Sequence, residues 1–218
     1  MKVLVRQLEG ERSVCVIEHR FDGSRLYFDN GVLYTHVDSR GNNLLEYIAA
    51  MGEVLEGAKS VLLLGTAGGA LATLLSRRGV SVTAIDNWPN AFDIARRWFH
   101  LPQDVECIPA DAIEFLRSTS RQWDAVAVDV FSGVEIPESI LTSDVGAHLA
   151  RTARPGGVVV WNIADTPDSC SAQLIAKALR REALAPRLLP VMEGGVGNTL
   201  VVCRKRVEAR SQADKTRT

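Results

Sequence analysis

An α/β fold on a mostly parallel sheet is what this sequence predicts, and three observations carry that expectation. From Val61 to Asn87, an apolar run of strand length meets the turn Gly65-Thr66-Ala67-Gly68-Gly69. A helix-compatible segment follows, and a second β-branched run ends in Asp86. Further strand-length runs at Val105–Ile108, Trp123–Asp129 and Val158–Asn162 are separated by helix-period segments, as crossover connections require. The run at Trp123 is nearly continuously apolar, the pattern of a parallel strand covered on both faces.

The first of these stretches is a βαβ unit, and each part has a physical task. Gly65 lets the chain turn off the strand, while Gly68 and Gly69 have no Cβ and allow close backbone approach to a ligand. The start of the helix offers N–H groups to polar or anionic groups. Asp86 and its neighbour Asn87 lie about twenty residues past the glycines, where a carboxylate can accept from both hydroxyls of a ribose. Thr66-Ala67 separates Gly65 from Gly68-Gly69, so the spacing departs from G-x-G-x-x-G and counts against NAD or FAD. A Rossmann-like domain holding an adenosine-type ligand without a pyrophosphate fits better. The plainer reading, glycines that only shape a turn and an acid that only caps the next helix, does not account for all the parts in this order.

The totals narrow the field. A chain of 218 residues suits one α/β domain with a small appendage, and a hydrophobic fraction of 46% supplies its core. A formal net charge of -1 gives no reason to expect nucleic acid or a membrane surface as partner. No stretch approaches the ~18 uninterrupted apolar residues of a transmembrane helix, and Met1-Lys-Val-Leu-Val-Arg6 is charged too early for a signal-peptide core. The four cysteines and four histidines are scattered without metal-ligand spacing. Reduced core cysteines, no metal site and a cytoplasmic location are therefore expected.

Residues 1–40 read as a small antiparallel β-sheet domain. Short β-type runs alternate with turns at Glu9-Gly10-Glu11, Asp22-Gly23-Ser24 and Asp29-Asn30-Gly31, the last a strong hairpin signal. Residues 41–205 form the nucleoside-binding domain, opening with a helix near Leu44–Leu55 that Asn42 or Asn43 can cap and Gly57 ends. A further helix starts at Pro89 and stops at Pro102. Arg154-Pro155-Gly156-Gly157 reads as a turn before the fifth strand, and a helix spans about Ser169 to Glu182. Strands around Arg187–Val191 and Thr199–Cys203 form an antiparallel edge hairpin through a turn at Gly194–Asn198. Residues 206–218 read as a flexible tail.

Carboxylates stand at the expected carboxyl ends of parallel strands, where ligands bind in such sheets. Asp111 precedes Ala112 and a helix, and either caps it or borders a purine. Asp129 ends the fourth strand and precedes Val130-Phe131-Ser132-Gly133. The following stretch, Ile136-Pro137 to Leu141-Thr142-Ser143-Asp144, can close over the site, with Thr142 or Ser143 capping the next helix.

With these residues in view, the chain resembles the spermidine synthase family of aminopropyltransferases, which combine the Rossmann-like fold of class I methyltransferases with a small N-terminal β-domain. The resemblance spans about residues 13 to 203. It rests on the glycine loop, Asp86, Asp111-Ala112, Asp129, Pro155-Gly156-Gly157 and Gly197-Asn198-Thr199. It implies that Gly65, Thr66, Ala67, Gly68 and Gly69 line the methionine-derived part of S-adenosylmethionine or its decarboxylated form. Asp86 and Asn87 would hold the ribose, Asp111 and Ala112 would border the adenine, and Asp129 would be the base that meets an attacking amine. Tyr34 stands where the family has a glutamine, and Leu44-Leu45-Glu46 where it has a tyrosine-histidine-glutamate run. Only Glu46 survives there, so Tyr34, Glu46 and Phe131 are the candidate acceptor residues. A second aspartate and a proline expected shortly after Asp129 are missing.

Three readings follow: aminopropyl transfer to an amine acceptor, a polyamine among the candidates; methyl transfer from S-adenosylmethionine to a small acceptor; or nucleoside binding without turnover. The resemblance also implies a homodimer.

Overall fold

The computed structural model describes residues 1–10, 12–132, 135–141, 144–193 and 196–207. Glu11, Gly133, Thr142, Ser143, Gly194, Gly195 and the tail from residue 208 lie outside the described residues, so the turn, capping and tail expectations that fall on them go no further.

The N-terminal region is a four-stranded antiparallel sheet of β1 (Lys2–Glu9), β2 (Arg12–Glu18), β3 (Arg25–Asp29) and β4 (Val32–Val37), in that order. Asn30 and Gly31, both at positive φ, make its last hairpin turn. The main domain alternates α1 (Glu46–Val54), β5 (Ser60–Leu64), α2 (Ala70–Arg77), β6 (Ser81–Asp86), α3 (Pro89–Phe99), β7 (Glu106–Pro109), α4 (Ala112–Ser118) and β8 (Trp123–Val128). It continues through α5 (Val145–Thr152), β9 (Ala153–Ile163), α6 (Cys170–Arg181), β10 (Arg187–Glu193) and β11 (Val196–Arg204).

The seven main strands lie in the order β10-β11-β9-β8-β5-β6-β7. β5 to β9 are mutually parallel, while β11 runs antiparallel to β9 and β10 antiparallel to β11. Both edge strands carry a proline, Pro190 in β10 and Pro109 in β7. The strand order reverses between β5 and β8, and the crevice beyond that reversal is where a ligand is accommodated.

Alternation along β5 divides the core. Val61 and Leu63 pack with α1, α2, α3 and the N-terminal sheet on one face; Leu62 and Leu64 pack with α4, α5 and α6 on the other. Trp161 and Leu149 are completely buried in the second layer. The N-terminal sheet is thus part of the domain wall, as a small sheet needs to be for stability in water. Its Thr35, buried on β4, accepts a hydrogen bond from the Gly68 N–H at 3.1 Å.

Three local expectations need correction. Neither Asn42 nor Asn43 caps α1; the N-cap is Leu45, with no side-chain cap. Asn43 instead brackets Leu45, accepting from its N–H and donating to its C=O, while Asn42 is tied to Asp38. Helix α3 ends before Pro102, because His100 adopts φ 60° and the Leu101 N–H returns to the Ala95 carbonyl. Arg154 to Gly157 are no separate turn but belong to β9. The pairing jumps from Trp123–Ala153 to Ala125–Val158, so the extra residues are taken up as a bulge against β8.

Replacing Thr35 with Val keeps the shape but removes the acceptor for the buried Gly68 amide. The expected cost is about 1–3 kcal/mol. Urea unfolding checks it, and an unchanged midpoint would mean that the hydroxyl is not a brace.

Candidate active site

At the carboxyl ends of β5, β6, β7 and β8 lies a cleft of about 420 Å³, closed on one side by the N-terminal sheet. Its size is within the roughly 300–1,000 Å³ of small-molecule sites. Gly65, Thr66, Ala67, Asp86, Asn87, Asp111, Ala112 and Asp129 all line it, and so do Tyr34 and Phe131. Glu46 does not: it is exposed at the start of α1, and the next residue, Tyr47, faces the cleft in its place. Successive helical side chains diverge by about 100°, so an acid one position early points away.

The glycines serve the protein's own packing. Gly65 has φ 85°, and a Cβ there would stand 2.1 Å from the Asp129 carbonyl oxygen. Gly68 is pressed against Thr35, where a Cβ would meet the side chain at 2.8 Å. Gly68 and Gly69, where a close approach to a ligand is expected, do not line the cleft; Gly68 approaches the N-terminal sheet and Gly69 approaches Leu101 and Ala95, while Gly65 makes its close contact with the end of β8.

The loop's amides are also spent internally. Thr66 N–H and Ala67 N–H donate to Asp86 Oδ2 at 3.0 and 3.2 Å, Gly68 N–H to Thr35, and Gly69 N–H to the Thr66 carbonyl at 2.7 Å. The helix start thus offers at most the amides of Ala70, Leu71 and Ala72. Asp86 Oδ1 accepts from Trp88 N–H at 2.9 Å. A carboxylate has about four acceptor sites, so three backbone donors leave Asp86 about one for a ligand, not the pair expected for two ribose hydroxyls. Burial pushes its carboxyl up, against the pull of these three N–H groups.

Asp111 Oδ1 accepts from the amides of Ile113 and Glu114, so the capping reading holds, and the residue also faces the cleft. Around it Ile85, Ala110, Ala112 and Ile113 give this end of the cleft an apolar lining suited to a planar ring.

Asp129 stands at the other end. Its carboxylate is set among buried groups, although the residue keeps some solvent contact; burial raises its carboxyl to about 6, and the Asn162 amide holds it from rising further. Asn162 Nδ2 donates to Asp129 Oδ1 at 2.8 Å, and Asn198 Nδ2 donates to Asn162 Oδ1 at 3.0 Å. Next to Asp129 is an aromatic wall: the Tyr34 and Phe131 rings lie 6.4 Å apart, and Tyr47 Oη donates to the Tyr34 carbonyl.

Several of these participants were not singled out from sequence. Asn162 had a readable signal, a lone amide ending the apolar run Val158-Val-Val-Trp-Asn162. Arg12 and Asp29 had none, since their meeting depends on how β2 and β3 pair. Arg12 Nε and Nη2 contact Asp29 Oδ2 at 2.7 and 2.5 Å, and the guanidinium lies 4.7 Å over the Trp88 ring. Among the described residues no group of three His, Cys, Asp or Glu side chains gathers in a metal-binding arrangement, and no helix is long and apolar enough to cross a membrane.

Comparison with known proteins agrees with this architecture. A probable spermidine synthase from Corynebacterium glutamicum superposes with a TM-score of 0.76 at 18% identity, covering 94% of this chain and 81% of that one. The fold is that of the spermidine synthases. Human methyltransferase-like protein 13, solved in complex with SAH, superposes with a TM-score of 0.61 at 19% identity, over 77% of this chain and 85% of that one. The family described as "Methyltransferase domain" matches residues 62–161, from β5 to β9. In sequence, the chain is similar to the polyamine aminopropyltransferase of Chromobacterium violaceum, 32% identical over 122 residues, which are 52% of this chain and 46% of that protein. The chain thus matches about half the length of that relative.

Gly65→Ala tests the tight contact between β5 and β8. Positive φ and a Cβ aimed at a carbonyl should together cost about 3 kcal/mol, read as a lower denaturation midpoint. A variant as stable as the parent would mean that the two strand tips can part freely.

Proposed function

We propose that the chain is a transferase of the spermidine synthase type, moving an aminopropyl group from decarboxylated S-adenosylmethionine to a small amine. The observation that carries this reading is the charge of the cleft. Asp29, Asp86, Asp111 and Asp129 line it, and Arg12, the only lining cation among the described residues, is bound to Asp29. Such a lining suits a cationic nucleoside, whereas the carboxylate of full S-adenosylmethionine would find no unpaired positive partner there. The internally satisfied amides of the glycine loop point the same way, since they are not available to an anion.

Asp111, Ala112 and Ile113 would border the adenine, Asp86 with Asn87 would reach the ribose, and the wall from Gly65 to Leu71 would flank the chain attached to sulfur. When bound, the sulfonium supplies an electrophilic carbon and a neutral thioether as leaving group. An acceptor amine is protonated near neutral pH, because alkylammonium groups titrate at about 10. Asp129 accepts that proton, and the freed lone pair forms the new C–N bond as the C–S bond breaks. Tyr34, Tyr47 and Phe131 hold the amine's approach path and limit water there.

A second reading is methyl transfer from S-adenosylmethionine. It is favoured by the match to the methyltransferase family and by an acceptor end lined mainly by aromatic and aliphatic side chains, with Asp129 as its carboxylate.

Calorimetric titration with S-adenosylmethionine, its decarboxylated form and methylthioadenosine separates the two. The decarboxylated form should bind at least about tenfold tighter than S-adenosylmethionine, a difference of about 1.4 kcal/mol. The reverse order favours methyl transfer, and no binding of any of the three overturns both. Asp129→Asn should keep nucleoside affinity within about twofold and abolish transfer. In the parent the rate should fall as the pH drops through about 6, because protonation removes the acceptor for the amine's proton.

A further inference from the structure

Asn162 is nearly inaccessible, yet it follows the apolar run Val158–Trp161 near the end of β9. A buried primary amide costs free energy unless its donors and acceptor are used. Here they are used in a line that crosses three neighbouring strands. Val128 of β8 pairs with Trp161 of β9, so Asp129 and Asn162 are the next residues in register at the strand tips. Asn162 in turn pairs with Leu200 of β11, and Asn198 is the diagonal neighbour on the same face. The result is Asn198 Nδ2 to Asn162 Oδ1 at 3.0 Å, then Asn162 Nδ2 to Asp129 Oδ1 at 2.8 Å. The end of β11 is itself pinned nearby, with the buried Thr199 donating from Oγ1 to the Asp165 carbonyl at 2.6 Å.

We propose that Asn162 and Asn198 are positioning residues, an amide relay that fixes the Asp129 carboxylate in one orientation. The relay occupies Oδ1 and turns Oδ2 toward the acceptor. An Asn162 amide oriented by Asn198 can present its N–H to Asp129 and not its oxygen, which would repel a carboxylate. The antiparallel hairpin of β10 and β11 is thereby tied to the reacting end of the cleft, which no parallel strand of the sheet does from that side.

The other charged and titratable groups around the cleft are Asp86 on β6, Asp111 before α4, the Arg12–Asp29 pair on the N-terminal sheet, Tyr34 on β4 and Tyr47 on α1. Just after β9 lies Asp165, whose carboxylate accepts from the Thr166 N–H. Burial and the Asn162 hydrogen bond are the influences resolved on the Asp129 charge, burial raising its carboxyl and the amide lowering it. Loss of the amide therefore favours the protonated form.

The proposal rests on Asp129 as the proton acceptor, but its test does not need turnover. In protein labelled with ¹³C at aspartate carboxyls, the Asp129 signal, assigned by its loss in Asp129→Asn, is titrated by NMR. Asn162→Leu should move the Asp129 midpoint up by about one to two pH units. Asn198→Ala, a change on the partly exposed hairpin that does not threaten folding, should move it in the same direction by a smaller amount. Asn162→Gln should not restore the parent value, because its amide reaches too far. If transfer is measurable, the acid limb of the rate profile should shift by the same amounts with KM for the nucleoside unchanged. An unmoved Asp129 midpoint in folded Asn162→Leu and Asn198→Ala overturns the relay. A moved midpoint in a protein that transfers nothing keeps the relay and removes the transferase reading.

Discussion

One carboxylate holds the working end of this molecule together. Asp86 takes hydrogen bonds from Thr66, Ala67 and Trp88, so the turn after β5 and the start of α3 are both fastened to the tip of β6. Without that anchor, the Thr66 and Ala67 amides at the cleft wall would lose their acceptor, at up to about 1–3 kcal/mol each. The loop shape in turn fixes where Gly65 meets the Asp129 backbone, and so how close the two halves of the parallel sheet approach at the strand-order reversal. The cleft is the space left over once these contacts are made.

The N-terminal sheet completes that space. Thr35 meets the glycine loop, Tyr34 faces Phe131 from the loop after β8, and the Arg12–Asp29 pair lies over Trp88 at the start of α3. Trp88 Nε1 also donates to Glu9 at 2.7 Å, a further tie between the sheet and the helix. The cleft therefore lies between two structural units, the main domain with Asp86, Asp111 and Asp129 and the N-terminal sheet with Tyr34 and the Arg12–Asp29 pair.

Most of the fold was legible because periodicity reports burial. The alternation of strand-length and helix-period runs reflects a sheet covered on both faces, and the acids at Asp86, Asp111 and Asp129 mark strand ends by the simple cost of burying them further in. Cap and boundary details were less readable. Asn43 and Leu45 show why: an amide that can cap a helix can equally bracket the residue before it, and tertiary contacts decide. The site was legible as a set of positions but not as a set of partners. Nothing local to Asp86 says that its oxygens are already occupied, and nothing local to Asn162 says that Asn198, thirty-six residues away, orients it. Glu46 illustrates the converse, since a residue matched by motif can miss the cleft by one helical position.

The main sheet ends on both sides in a strand that contains a proline, Pro190 in β10 and Pro109 in β7. Each lacks a backbone donor, so neither rim presents an unbroken ladder to a strand from another molecule. The wide, strongly apolar sheet is in this way guarded against end-on accretion while the chain is crowded or only partly folded, and that protection is independent of anything bound in the crevice.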